Sequence, residues 1–214
     1  SSQTRLDAQR SHIKWLFRVQ SPVVPVALWY PNVDMTLNWG GYFEHAKMLR
    51  DYVDYDYVDE TMLRTNALDR NKILVILHGS VMEKTDAKII AEWLKNGGRA
   101  IVMGVPKFES VEATPEPEDM LFGNTPGGRI VGKGEIVRVQ TEEELAQQLE
   151  KTMRELKLPI YDLQKDGIFG TQIDADRFLF LNTGSAATRI RVEFGGKIIE
   201  PRIAAGTITE VELK

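Results

Sequence analysis

His78 and Ser80 lie two residues apart after an apolar segment, and they come nearest in this chain to a nucleophile with its base. A serine attacks a carbonyl only when an adjacent general base takes its proton and nearby donors stabilise the oxyanion. Side chains two residues apart on one turn point in different directions, so we expect His78 to be a satisfied turn histidine or a ligand contact. We therefore predict no catalytic residue in this segment.

The chain has no cysteine and three scattered histidines. The lack of cysteine excludes disulfides, thiolate metal sites and a cysteine nucleophile. Three separated histidines supply too few ligands for a metal centre. Gly132-Lys133-Gly134 lacks the order of a phosphate-binding loop and precedes a predicted strand, so we interpret it as a turn. The sequence thus predicts neither a metal nor a cofactor.

Large aromatic side chains gather near the end of the first predicted strand. Tyr30 closes that strand, and Trp39 stands beside two glycines that leave its face uncovered. Aromatic faces stack on sugar rings, although packing in the core is the commoner role. We predict four ligand or interface contacts, with Trp39 foremost: Tyr30, Trp39, His78 and Ser80.

The elements that would position these residues are clearest between Lys72 and Met103. An apolar, β-branched run at 73–77 predicts a strand covered on both faces. An amphipathic helix follows, two glycines end it, and a second buried strand occupies 100–103. This is one βαβ unit. Because open α/β sheets bind ligands outside the carboxyl ends of their strands, we expect contacts from the loops 30–41 and 78–82.

Changes of period along the chain predict three parts. Residues 1–20 form an amphipathic linking helix that packs on the next domain or on a preceding one. Residues 21–159 form an α/β domain with a mostly parallel sheet, a long surface loop at 109–126 and a helix that Thr141 and Glu144 cap. Residues 160–214 alternate with period two between turns, which predicts a small antiparallel β-sandwich of five or six strands.

Composition narrows the class of partner. The 214 residues are 43% hydrophobic and 27% charged, as in ordinary globular proteins, and the net charge of −4 disfavours nucleic acid and anionic membranes. No apolar run approaches the roughly 18 residues of a membrane span. The start, SSQTRLDAQR, has neither a signal-peptide core nor an initiator Met, so we expect a processed or excised fragment. The compartment is left open.

Several segments of this sequence resemble a known family of protein domains. The order and spacing of Asp56 to Asp59, Leu68 to Lys72, Leu77 to Val81 and Trp93 to Val102 resemble the β-galactosidase trimerisation domain of glycoside hydrolase family 42. That domain has a class I glutamine amidotransferase-like, flavodoxin-type three-layer fold. The tail, DGIFGTQIDADRFLFLNTGSAATRIRVEF, is similar to the small β-domain that follows it in those enzymes.

The resemblance implies a fragment of a longer enzyme. In that family a TIM barrel with two catalytic glutamates precedes these modules, so the implied partners are that barrel and other copies of the chain. The amidotransferase nucleophile is missing, because 104–108 reads Gly-Val-Pro-Lys-Phe with no cysteine. We therefore expect a non-catalytic accessory or oligomerisation region. The alternative is a free-standing sugar-binding or ThuA-like module that uses a crevice around Trp39, His78 and Gly104.

Overall fold

The computed structural model describes residues 3, 6, 7, 10, 13, 21–37, 40–161, 163 and 167–213. Contacts divide the chain into two compact units: the α/β unit, Val24–Leu158, and the β unit, Ser1–Val23 with Pro159–Lys214. As domain limits, positions 20 and 159 stay a prediction. The described residues of the predicted first helix are all helical, and two of its apolar side chains are about half exposed, Leu6 at 47% and Ile13 at 48%.

The α/β unit is built on one six-stranded sheet with the order β2-β1-β3-β4-β6-β5. Only β5 runs antiparallel to its neighbour, so the predicted mostly parallel sheet is confirmed. The strands are β1 Val26–Trp29, β2 Asp56–Val58, β3 Ile73–Ile76, β4 Arg99–Met103, β5 Gly128–Val131 and β6 Gly134–Val139. The helices are α1 Asn32–Leu37, α2 Tyr42–Arg50, α3 Glu60–Arg64, α4 Lys84–Lys95, α5 Glu116–Leu121 and α6 Glu142–Glu155, with a 3-10 turn at Ala67–Arg70.

Both faces of this sheet are covered, which makes three layers. Alternate strand residues such as Ala27 and Leu74 pack in one cluster with apolar side chains of α3, α4 and α5. Their neighbours Val26 and Ile73 point to the opposite face and are equally inaccessible to solvent. The buried faces of α2 and α6 supply the remaining layer. Continuous burial on both faces explains why the strands are apolar runs without alternation.

Two predicted features of the α/β unit differ in outcome. The cap of α6 is confirmed, since Thr141 Oγ1 accepts a hydrogen bond from Glu144 N at 3.2 Å. The predicted long loop at 109–126 is wrong in part, because α5 begins within it with Pro117 in its first turn. Proline suits that position because it has no N–H to satisfy there. Within the described residues, no helix combines the length and apolar character required to cross a bilayer.

The β unit has antiparallel strands, as predicted, but they form three small sheets with the orders β14-β9-β8, β12-β11-β7 and β10-β13. Described residues 167–213 contain no helix. The strands are β7 Ile160–Tyr161, β8 Ile168–Gln172, β9 Arg177–Asn182, β10 Thr188–Arg189, β11 Val192–Phe194, β12 Lys197–Ile199, β13 Arg202–Ile203 and β14 Thr207–Glu212. Phe178 and Phe180, both fully buried, anchor the core of this unit. Eight strands among the described residues replace the five or six expected.

Candidate functional site

The carboxyl ends of β1 and β3 form the topological switch point of the sheet. The chain leaves β1 to pair with β2 on one side and later returns to pair with β3 on the other. Connections that leave adjacent strands in opposite directions open a crevice outside the strand ends, where α/β sheets bind ligands. The segments that follow β1 and β3 carry the predicted contacts Tyr30, His78 and Ser80. Geometry therefore makes this edge the first candidate site.

Ser80 and His78 are held by different partners at this edge. Ser80 Oγ donates to Asp34 Oδ1 at 3.2 Å, and Asp34 on α1 is buried. His78 Nε2 lies 3.0 Å from Nδ1 of His45 on α2. The serine hydroxyl thus faces a carboxylate, whereas acyl transfer requires an imidazole that accepts the serine proton and is oriented in turn by an acid. This arrangement does not activate Ser80 as a nucleophile.

The two histidines meet head-on. Their ring centroids are 5.2 Å apart, close to the 3.0 Å between the nitrogens plus the two ring radii. Such a line of centres points the nitrogen of each ring at the nitrogen of the other, which is the geometry of an N–H···N hydrogen bond with one donor and one acceptor. Two imidazoles that share a metal must instead aim at a third point. The described residues also contain no group of three or more histidines and carboxylates that could hold a metal ion.

The environment of the pair perturbs the titration of His78. Its burial lowers the pKa of His78, the charge that His45 would carry lowers it further, and Asp34 opposes both effects. Because the hydrogen bond uses one proton, two protonated rings would both be donors and would repel each other. The pair is therefore stable when at least one ring is neutral.

Acidification is expected to weaken the fold through His78. The pKa of His78 is lower in the folded chain than in the unfolded chain, where it has its usual value of about 6.5. As the pH falls below about 6.5, the unfolded chain therefore binds more protons than the folded chain. The free energy of unfolding should consequently fall as the pH drops below about 6.5, and by less in His78→Gln than in the wild type. Urea titrations at several pH values measure both slopes. Equal slopes for wild type and His78→Gln would contradict the expectation.

An aromatic cluster adjoins the histidine pair. The Tyr42 ring packs edge-to-face with Tyr30 and with His78, at centroid distances of 5.2 and 5.6 Å. The ring of Tyr57, the middle residue of β2, lies 5.9 Å from that of Tyr30 between centroids. Tyr42 is fully buried and donates its hydroxyl to Trp29 O at 3.0 Å, and this burial raises the pKa of Tyr42 far above its usual range. Tyr57 is 40% exposed, so it presents an aromatic surface to solvent.

Gly79, between His78 and Ser80, shapes the loop after β3. Its φ of +105° lies in the region that favours glycine, and a Cβ there would stand 2.9 Å from Trp29 Nε1 and from Pro31 Cβ. The loop therefore lies directly on the indole of Trp29, which is 1% exposed. Trp29 has a core role, the commoner alternative for an aromatic residue at this position.

Three of the four predicted contacts, Tyr30, His78 and Ser80, are among the described residues at this edge. Tyr30 is half-buried in the aromatic cluster, and Ser80 is exposed beside Asp34. Trp39, the foremost prediction, lies outside the described residues and stays a prediction. The sequence interpretation missed Asp34, Tyr42 and Tyr57 and gave His45 little weight. Their only sequence signal is position, since each belongs to or adjoins a segment at the carboxyl edge of β1, β2 or β3.

Comparisons with known proteins give the fold a context. No family model and no curated protein matches the sequence. Solved structures do match. The β-galactosidase of the Antarctic haloarchaeon Halorubrum lacusprofundi is 12% identical with a TM-score of 0.64, covering 96% of this chain and 41% of that one. The β-galactosidase of Rahnella sp. R3 is 11% identical with a TM-score of 0.64, covering 91% and 42%. The family 42 exo-carrageenase of Bacteroides ovatus is 13% identical with a TM-score of 0.63, covering 97% and 31%.

At these identities the matches establish the fold. The chain spans less than half the length of each of these enzymes, while nearly all of the chain is covered. The resemblance to glycoside hydrolase family 42 is confirmed at this level, and the trimerisation assignment stays a prediction. In fold, this chain corresponds to a region of glycoside hydrolase family 42 enzymes.

Proposed function

We propose that this chain is an accessory region of a glycoside hydrolase, non-catalytic alone, which packs on the enzyme's barrel and mediates contacts between subunits. One observation carries the proposal. Solved β-galactosidases and an exo-carrageenase match the chain over nearly its whole length, yet the matched part is only 31–42% of each enzyme. The larger remainder of such an enzyme is where the proposal places the chemistry.

The carboxylates of the α/β unit support a structural rather than a catalytic role. A retaining glycosidase needs two carboxyl groups about 5–5.5 Å apart that both reach the substrate. The buried carboxylates here are each engaged by a partner within the fold: Asp34 by Ser80, Glu60 by Asn32, Asp86 by Arg64 and Glu118 by Arg138. A carboxylate committed in this way is not poised to protonate or attack a glycosidic bond.

The isolated chain is expected to release no nitrophenol from a nitrophenyl β-D-galactoside above the buffer rate. Such turnover needs an acid and a nucleophile, and the buried carboxylates among the described residues serve the fold instead. The assay uses the 214-residue chain purified to homogeneity, with a family 42 β-galactosidase as positive control. Turnover that survives purification and disappears in Asp34→Asn would overturn the proposal.

The alternative function, a free-standing sugar-binding or ThuA-like module, rests on the exposed ring of Tyr57, which contacts Tyr42 in the cluster that adjoins the histidine pair. Light scattering after gel filtration separates the two ideas. Oligomeric chains support the accessory role. Monomeric chains whose sugar affinity is lost in Tyr57→Ala support the alternative, because stacking on an exposed aromatic ring is the contact that this mutation removes.

A further inference from the structure

A cavity lies at the carboxyl ends of β4 and β6, beyond the β1–β3 switch point. This β4–β6 cleft has a volume of about 420 Å³ and is lined by Gly104, Val105, Pro106, Pro126, Gly127, Arg138, Val139 and Gln140. β4 and β6 are parallel neighbours whose ends coincide, with Met103 opposite Val139. Its volume falls within the range of small-molecule sites, and its position is the edge at which α/β sheets bind ligands.

The walls of this cleft are fixed before any ligand arrives. Arg138 donates to both oxygens of Glu118, at 3.1 and 2.9 Å, and to Pro126 O at 2.6 Å. Its guanidinium also lies 3.8 Å from the centre of the Phe122 ring, and its side chain is 6% exposed. The next residue along the same segment is held too, because Arg138 N donates to Gly127 O at 2.9 Å. Preformed walls lower the entropic cost of binding.

The charge of the cleft selects a neutral occupant. Arg138 is the ionisable side chain in the lining, and the bidentate contact with Glu118 already compensates it. An anion would face Glu118 close behind the guanidinium, and it would also approach the acidic first turn of α6, Glu142 to Glu144. A cation would find no uncompensated carboxylate in the lining.

We propose that the β4–β6 cleft binds a neutral hydroxylated ring, a monosaccharide being the simplest member of the class. Pro106, Pro126 and Val139 offer C–H surface for the face of such a ring. At the rim, the Gln140 carboxamide is exposed and has no hydrogen-bond partner among the described residues, so it can bond ring hydroxyls as donor and acceptor. This role goes beyond the accessory function and applies whether or not the chain assembles.

Gly127 provides a way to fill the cleft without disturbing the fold. A Cβ built on Gly127 has no atom within 4 Å, and its φ is outside the region that favours glycine. Gly40 has the same two properties at the switch-point end, so Gly40→Leu is a matched variant for Gly127→Leu. Gln140→Ala removes the carboxamide at the rim and leaves the cleft open.

Saturation-transfer NMR with D-galactose and D-glucose, and with D-glucuronate as the charged probe, tests the proposal on the full chain. We expect transfer to at least one neutral sugar, affinity about tenfold weaker in Gly127→Leu and weakened in Gln140→Ala, and unchanged affinity in Gly40→Leu. Absence of transfer to both neutral sugars, undiminished binding in Gly127→Leu, or stronger binding of D-glucuronate would overturn it. If Gly127→Leu does not fold, undiminished binding in Gln140→Ala overturns it. Oligomeric mass plays no part in these outcomes, so the accessory role stands or fails separately.

Discussion

Gly134→Ala is expected to destabilise the α/β unit by about 3 kcal/mol, the upper end of the cost of overpacking a close-packed interior. A Cβ at Gly134 would overlap the carbonyl oxygens of Leu94 and Gly98, which belong to the end of α4 and the turn after it. Both obstacles are backbone atoms, so no side-chain rotation relieves the overlap. The turn would have to move away from α4 and take β5 and β6 with it.

Urea unfolding followed by circular dichroism measures this loss. Gly127→Ala is the matched control, because a methyl group at Gly127 meets no atom within 4 Å and its φ is accessible to alanine. The control should keep its unfolding midpoint within experimental error of the wild type. A Gly134→Ala chain that unfolds within about 0.5 kcal/mol of the wild type, the range of ordinary surface substitutions, would show that the turn is free to move.

The segment Gly132-Lys133-Gly134 shows how far sequence reasoning reaches. Its position before a strand correctly predicted a turn rather than a phosphate loop, since Gly132 and Lys133 join β5 to β6 and Gly134 is the first residue of β6. What the sequence did not reveal is its neighbour. Lys133 N donates to Lys95 O at 3.0 Å and Glu135 N donates to Gly98 O at 3.2 Å, so the turn is bonded to the end of α4. Glycines that admit an anion and glycines that admit a neighbouring backbone look alike in a sequence.

The parallel sheet could be predicted because each strand carries its own signal. Residues of β1 and β3 are buried on both faces, and only a covered strand needs an unbroken apolar run. The same local logic predicted α6, whose Thr141 cap and acidic first turn are both present. An unbroken apolar run and a helix cap are both local patterns, so they can be recognised from a single segment.

The candidate site could be predicted only in part, because its contacts cross between segments. His45 and His78 are 33 residues apart, and Asp34 and Ser80 are 46 apart. They meet because β1 lies between β2 and β3, and that strand order depends on the whole sheet. The sequence pointed to loops at 30–41 and 78–82, but the first of them contains the helix α1, which carries Asp34. It also did not predict that α2 brings His45 to His78.

The acid-rich segment before Pro126 was interpreted as a solvated loop, and this was wrong for its most consequential residue. Glu118 is 9% exposed and accepts hydrogen bonds from Arg138 and from Phe108 N, the latter at 3.0 Å. Charge and proline content suggested solvent, but a carboxylate can be buried when an arginine and a backbone N–H satisfy it. Its partner lies 20 residues away on β6, beyond any local pattern.

Arg138→Met is expected to cost about 3–5 kcal/mol of unfolding free energy, because it leaves the Glu118 carboxylate buried without its counter-charge. The guanidinium lies 3.8 Å from the centre of the Phe122 ring, and methionine keeps much of this apolar contact. The loss of unfolding free energy therefore reports chiefly on the lost charge. Lys95→Met removes one end of the exposed pair with Glu92, whose side chains are about half accessible. This control should change stability by less than about 1 kcal/mol.

The double mutant Arg138→Met with Glu118→Gln distinguishes a coupled pair from two independent side chains. Glutamine keeps an acceptor for Phe108 N but carries no charge, so it removes the cost that the single Arg138→Met mutation creates. The double mutant should therefore be more stable than Arg138→Met alone, with a coupling energy of about 2–3 kcal/mol from the four unfolding titrations. Additive losses would mean that water reaches Glu118 once the arginine is gone. In that case the contacts of Arg138 with Phe122 and with the Pro126 carbonyl, rather than a buried ion pair, would keep the wall of the β4–β6 cleft rigid.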